Sequence, residues 1–181
     1  KIQTKLIMAL IKSVKGAKPN IGQNNYLAEN ATIVGDVTTG NNCSIWFSSV
    51  LRGDVNSITL GNQVNIQDGA VVHCTYKKFN TVLGNNISIG HNAVIHGCKI
   101  NDNVLIGMGA IILDGAIIEK NTIIAAGSVV LEGERVKSGS IYAGVPAKKV
   151  KELKEEEIKK LNQNLSKNYV MYSSWFNDQK V

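Results

Sequence analysis

Aromatic residues make up only 6% of the 181-residue chain, and proline occurs twice. Glycine, isoleucine, valine and asparagine are abundant by contrast. That balance favours many short β segments joined by tight turns over a helical bundle. Cysteine is also sparse: the three present are odd in number and show no Cys-x-x-Cys spacing, so no disulfide framework is expected and a reducing compartment fits. Long apolar runs are missing too. The stretch Leu6 to Ile11 is six residues long, too short for a secretory signal or a membrane span, so the protein is expected to be cytoplasmic and off the membrane.

The net charge of +6 does not point to nucleic acid, because many of the lysines lie between Lys148 and Lys160, interleaved with Glu152, Glu155, Glu156 and Glu157. Such a mixture is a solvated helix face, and neither an aromatic platform nor a nucleic-acid-binding motif accompanies it. The length suits one domain with one core.

What the sequence does have is a period of six. Stepping from Val82 gives Ser88, Val94, Ile100, Ile106, Ile112, Ile118, Ile124, Val130 and Val136. Four residues after each lies a second, mostly small column: Asn86, Asn92, Cys98, Val104, Ala110, Ala116, Thr122 and Ser128. The same period runs through Ile33, Thr39, Ile45 and Leu51, and again through Leu60, Ile66 and Val72, with slips near 56 to 59 and 75 to 81. Six fits neither the 3.6 of a helix nor the 2 of a free strand. It fits one side of a triangular coil, three sides making a turn that stacks on the last at about 4.8 Å. The aliphatic column would then fill the interior, and Gly and Asn would serve the corners where φ > 0 is needed. The expected organisation is a segment 1–20, a parallel β-helix over 21–147, an amphipathic helix over 148–176 with Val150, Leu153, Ile158, Leu161 and Leu165 on one face, and a tail at 177–181.

The chain has three histidines, His73, His91 and His96, within a short span. Between Val72 and Val82 the column advances by ten, which implies a four-residue excursion around Tyr76 to Asn80. With those four removed, His96 falls one coil plus one residue after His73, so both side chains are expected on one face, with His91 nearer a neighbouring side of the triangle. Two subunits can unite them if the face carrying His73 and His96 meets the edge carrying His91 of the next copy, and a closed three-fold ring gives three such sites. Three neutral imidazoles with an open fourth position form a catalytic zinc arrangement, and the set also suits Fe(II) or Co(II). Cys43 and Cys98 are expected to be packed thiols, and Cys74 to point away from the histidines.

Arg52-Gly53-Asp54, Asn65-Ile66-Gln67-Asp68-Gly69, His73, and His91-Asn-Ala-Val-Ile-His96-Gly97 together resemble the gamma-class carbonic anhydrases. The resemblance implies a left-handed parallel β-helix, a homotrimer, and zinc sites at subunit interfaces with His73 and His96 from one chain and His91 from its neighbour. It also implies that Arg52 binds bicarbonate and pairs with Asp54 across the interface, that Asn65 and Gln67 orient water and CO2, and that Asn164 and Tyr169 line the pocket. The chain departs from that pattern at Val55, where a glutamate is usual, and in the excursion after His73, which has no acidic residue. The proton-shuttling carboxylates of the family are therefore missing, which implies slow turnover. Two other functions compete. A coenzyme A-dependent acyltransferase of the hexapeptide-repeat class would need only one histidine as general base, and a non-catalytic metal-binding scaffold would need no shuttle.

Overall fold

The computed structural model describes residues 8–176; residues 1 to 7, with the start of the Leu6 to Ile11 run, and the tail at 177–181 lie outside them. The chain winds into a parallel β-solenoid of about seven turns, followed by a helical segment. Each coil has three sides. The first stacks Leu10–Lys12, residues 32–34 and 50–52, Val71–His73, Val94–His96, Ile111–Ile112 and Val129–Val130 in parallel. The second stacks residues 37–39 and 58–60 with Thr81–Leu83, Lys99–Ile100, Ile117–Ile118 and Arg135–Val136. The third runs from Tyr26–Leu27 through Ser44–Ile45, Val64–Ile66, Ile87–Ile89, Val104–Ile106 and Thr122–Ile124 to Ser140–Ala143.

The interior is a single aliphatic column. Leu51, Leu60, Ile66, Val72, Leu83, Ile89, Ile95, Ile100, Ile106, Ile112, Ile118 and Ile124 are all buried. The corners use asparagine as expected: Asn24, Asn42, Asn86, Asn92, Asn103 and Asn121 all have positive φ, a conformation their short polar side chains tolerate.

The column differs from the expected one over the three sides of one coil. Leu60 pairs with Leu83 and His73 with His96, each 23 residues on, so the excursion is five residues, Thr75 to Phe79, and not four. Ile100 pairs with Leu83, 17 residues back, so the corner after His96 is one residue short. The two irregularities offset each other between Val72 and Ile100, which is why a count by sixes passes through Val82, Ser88 and Val94 without signalling a fault. Those three side chains face outward, and Ser88, the one non-aliphatic member of that column, was never an interior position.

The expected C-terminal helix starts later and is broken. Lys148–Glu152 form an antiparallel strand on Ser140–Ala143, so Val150 lies on an exposed strand and not on a helix. Helix α1 spans Glu155–Asn164 and helix α2 spans Lys167–Ser174. Glu155, Glu156 and Glu157 in the first turn of α1 complement its dipole. The pair lies on the third side of the solenoid: Asn86 donates to the Asn162 carbonyl at 3.0 Å, the Ser166 hydroxyl donates to Asn86 Oδ1 at 2.6 Å, and Tyr169 packs edge-on against Trp46. Among the described residues no helix is long and apolar enough to cross a membrane.

The corrected register is testable. Leu83→Ala should lower unfolding free energy by about 2–5 kcal/mol, while Val82→Ala on the outer surface should change it by less than about 1 kcal/mol. Denaturant midpoints that fall equally for both would place Val82 inside and overturn the register.

Candidate metal centre

The edge where the first side turns into the second carries one half of the candidate site. Val34, Arg52, His73 and His96 occupy successive rungs there. His73 and His96 are direct partners in the parallel ladder, a closer match than the one-residue offset expected. Their rings meet with His73 Nδ1 3.0 Å from His96 Nε2. Each remaining ring nitrogen faces a carboxylate: His73 Nε2 lies 3.0 Å from Asp54 Oδ1, and His96 Nδ1 lies 2.6 Å from Asp114 Oδ1.

Asp54 reaches His73 because the chain inserts three residues between Gly53 and Ile58 relative to the coil below. Its other oxygen accepts from Arg52 Nη1 at 2.6 Å. The expected Arg52–Asp54 pair therefore forms within one chain, where residues two apart in an extended strand point the same way. Asp114 is held at its second oxygen by the Thr75 hydroxyl at 2.5 Å. Burial raises the pKa of both carboxyls, but the bonds from His73 and Arg52 to Asp54, and from Thr75 and His96 to Asp114, outweigh it and hold both below the usual carboxylate value.

An ionised carboxylate only accepts, so each histidine donates N–H to its aspartate. That leaves two bare lone pairs, on His73 Nδ1 and His96 Nε2, aimed at each other. Such a pair is stable only with a cation or a proton between them. Two imidazole nitrogens bound to one tetrahedral zinc at about 2.0–2.1 Å each stand about 3.3 Å apart, so the observed 3.0 Å separation suits a shared metal ion. A carboxylate behind each ring is the usual support for a metal-ligating histidine.

The other edge of the first side carries a second group. His91 sits at the corner after Ile87–Ile89, with Nδ1 2.9 Å from Asp68 Oδ2, and its side chain is 41% exposed. Gln67 Nε2 donates to Asn65 Oδ1 at 3.0 Å and to Ser88 Oγ at 3.1 Å, and Ser88 Oγ donates to Asn65 Oδ1 at 2.8 Å. All three are buried. Tyr169 lies nearby on α2; its hydroxyl pKa is pushed up by burial and, after that, by the Asp68 charge. The candidate residues thus divide into Arg52, Asp54, His73 and His96 on one edge and Asn65, Gln67, His91 and Tyr169 on the other. Asn164 is exposed at the end of α1. Among the described residues no three His, Cys, Asp or Glu side chains are gathered to hold one metal ion within a single chain. Cys74 is buried with Sγ 3.1 Å from the Asn56 carbonyl, away from the rings.

Asp68, Thr75, Ser88 and Asp114 have no assigned role in the sequence reading. Asp114 lies 18 residues after His96, one past the 17-residue register of that coil, and Ser88 lies 23 after Asn65, one coil with the excursion. A search for polar residues one coil from each histidine would have found Asp114.

Comparison with known proteins places this arrangement. The model of the bacterial transferase hexapeptide (six repeats) family matches residues 97–132. A Methanocaldococcus jannaschii protein named probable carbonic anhydrase is 50% identical over 144 residues, covering 80% of this chain and 90% of the relative. The mitochondrial gamma carbonic anhydrase 2 of Arabidopsis thaliana is 41% identical over 165 residues, covering 88% of this chain, which spans only 59% of that longer relative. A solved hexapeptide transferase family protein from Anaplasma phagocytophilum superposes with a TM-score of 0.87 at 40% identity, covering 92% of this chain and 98% of the other. On its repeat, its paired histidines and these relatives, the chain belongs to the gamma-class carbonic anhydrase family.

Proposed function

We propose that this protein catalyses the reversible hydration of CO2 to bicarbonate at a zinc site shared between copies in a homotrimer, with His73 and His96 from one copy and His91 from its neighbour. The observation that carries the reading is the pair of ring nitrogens 3.0 Å apart, each ring backed by its own aspartate. Fe(II) or Co(II) would suit the same ligands. The bound metal would supply Lewis acidity, making water a nucleophile near neutral pH.

The surface between the two edges supports sharing. Outward from the first side project Val50, Val71, Val94, Ile111 and Val129, one per coil. Val71 is 36% exposed, and Met108 and Leu131 are 58% and 45% exposed. An aliphatic strip of this kind, bordered by two histidines on one edge and a third on the other, suits burial against a second copy of itself.

The remaining residues divide the work. Arg52 commits Nη1 to Asp54, and its side chain is 46% exposed beside His73, with the other guanidinium N–H groups free to bind bicarbonate. Gln67 donates its amide hydrogens to Asn65 and Ser88, so its carbonyl oxygen is left to accept a hydrogen bond from water, and Asn65 acts by fixing that orientation. Tyr169 closes the Gln67 edge. The protein would work in the cytoplasm, and nothing in its motifs calls for nucleic acid.

An acyltransferase reading has one observation in its favour: a histidine backed by aspartate also serves as a general base. It gives no reason for a second bare ring nitrogen 3.0 Å from the first. Purified protein separates the readings. About one zinc per chain supports the anhydrase, and no metal together with acetyl-CoA turnover supports the transferase; bound metal without CO2 hydration would leave only a scaffold.

His96→Ala should abolish metal binding and hydration while leaving the circular dichroism spectrum unchanged, because the aliphatic column and not the ion fills the core. Light scattering should give three times the chain mass, and a monomer with full metal occupancy would refute the shared site. Turnover should also depend on buffer. Asp54 and Asp114 each already accept a histidine N–H, and Val55 and the Thr75 to Phe79 hairpin offer no carboxylate to carry a proton away. Turnover should therefore rise with buffer concentration while kcat/KM stays flat. A turnover independent of buffer from roughly millimolar levels, the order of ordinary KM values, would mean a side chain shuttles the proton.

A further inference from the structure

His96 is held by a construction that spans three coils. Asp114 comes from the coil after it and Thr75 from the coil before it, and the two meet across the ring: Thr75 Oγ donates to Asp114 Oδ2 at 2.5 Å while Asp114 Oδ1 faces His96 Nδ1 at 2.6 Å. Neither contact is a by-product of regular stacking. Thr75 is delivered by the five-residue excursion, which closes on itself as a small hairpin with Thr75 N donating to the Phe79 carbonyl at 2.9 Å. Asp114 comes alongside His96 because the corner after His96 is one residue short, so that Gly115 N bonds the Gly97 carbonyl at 2.7 Å.

Gly97 makes room for this contact. It has φ +53°, and a Cβ there would stand 2.1 Å from Asp114 Oδ1 and 2.9 Å from Phe79 Cβ. The backbone has thus been shaped in three places, the excursion, the shortened corner and a glycine, and all three serve one carboxylate.

We propose that Asp114, clamped by Thr75, is a positioning residue that fixes His96 as the Nδ1–H tautomer with a bare Nε2 directed at His73. The inference rests on the metal-site reading for its purpose but not for its geometry. An imidazole carries one proton on either nitrogen when neutral, and the hydrogen bond made by one nitrogen decides which is left free to ligate. A carboxylate that cannot donate allows only the Nδ1–H form. Thr75 occupies the second oxygen of Asp114 and so prevents the carboxylate from swinging toward solvent.

The test uses the full chain and two readouts. In metal-free protein at alkaline pH, where the rings are neutral, the ring 15N shifts of His96 should report a protonated Nδ1 and a bare Nε2. Asp114→Ala should move that pattern toward the other tautomer and weaken zinc binding, measured by competition with a chelator, by about 10–100-fold. Thr75→Val, which removes only the hydroxyl and keeps the shape, should change both readouts in the same direction by less, and Thr75→Ser should restore them. Wild-type shifts and zinc affinity in Asp114→Ala, or in Thr75→Val if the first variant fails to fold, would overturn the proposal. If the tautomer moves as expected but wild-type protein binds no zinc, the positioning role stands and the metal-site reading fails.

Discussion

Parallel coils stacked at strand spacing leave a side chain little choice of neighbours: above and below it stand the residues one coil away. Most contacts between coils at the candidate site obey this constraint. His73 stacks on His96, Asn65 on Ser88, Asp68 beside His91 and His96 beside Asp114. The interior column makes the constraint rigid. Residues such as Ile66, Val72, Ile89 and Ile95 are buried and occupy one cross-section after another, so a polar group on the outer surface cannot approach a partner by local repacking without opening a cavity beneath it.

Chemistry is therefore introduced where the count of six is broken. Four insertions or deletions interrupt an otherwise even winding among the described residues, all on the edge where the first side turns into the second; one falls between Lys12 and Asn20, and the other three serve His73 and His96. The extra residues between Gly53 and Ile58 carry Asp54 to His73. The Thr75 to Phe79 hairpin carries Thr75 to Asp114, and the shortened corner after His96 lets Asp114 reach the ring. A regular hexapeptide coil is a scaffold, and its irregularities mark where it has been adapted. The same breaks give the two histidines aspartates from different elements, which fixes one ring through Nε2 and the other through Nδ1 and leaves opposite nitrogens facing inward.

The period, the triangular coil and the facing of His73 and His96 were all legible in the sequence, because each follows from counting by six and needs no side-chain detail. The errors came where counting is blind. An insertion misjudged by one and a deletion of one offset each other across Val82, Ser88 and Val94, and aliphatic residues on both surfaces of the strand, Val71 beside Val72 and Val94 beside Ile95, hid the change of phase. Only Ser88 signalled it. Asp114 was missed because its meaning depends on a partner 18 residues away, and Thr75 because no count predicts where a hairpin places its first hydroxyl. The helix starts later than the sequence suggests because Lys148–Glu152 reads as a charged helical turn, whereas pairing with Ser140–Ala143 decides its conformation.

The position of His91 follows from the same rigidity. It lies at one end of the first side and the His73–His96 pair at the other, separated by the strand Val94–His96 itself. An extended strand of this length holds its ends roughly 7–10 Å apart at about 3.3 Å per residue, and the close-packed core forbids folding that side in half. Among the described residues the three imidazoles are not gathered on one ion within one chain. A triangular prism has a second way to join opposite edges: set the edge of one copy against the opposite edge of the next, and three copies close the ring. The aliphatic strip running between the edges is what such a contact would bury. On the proposed reading, the same geometry that keeps the three histidines apart in one chain would make three equivalent sites in a trimer, with no change in the fold of any one chain.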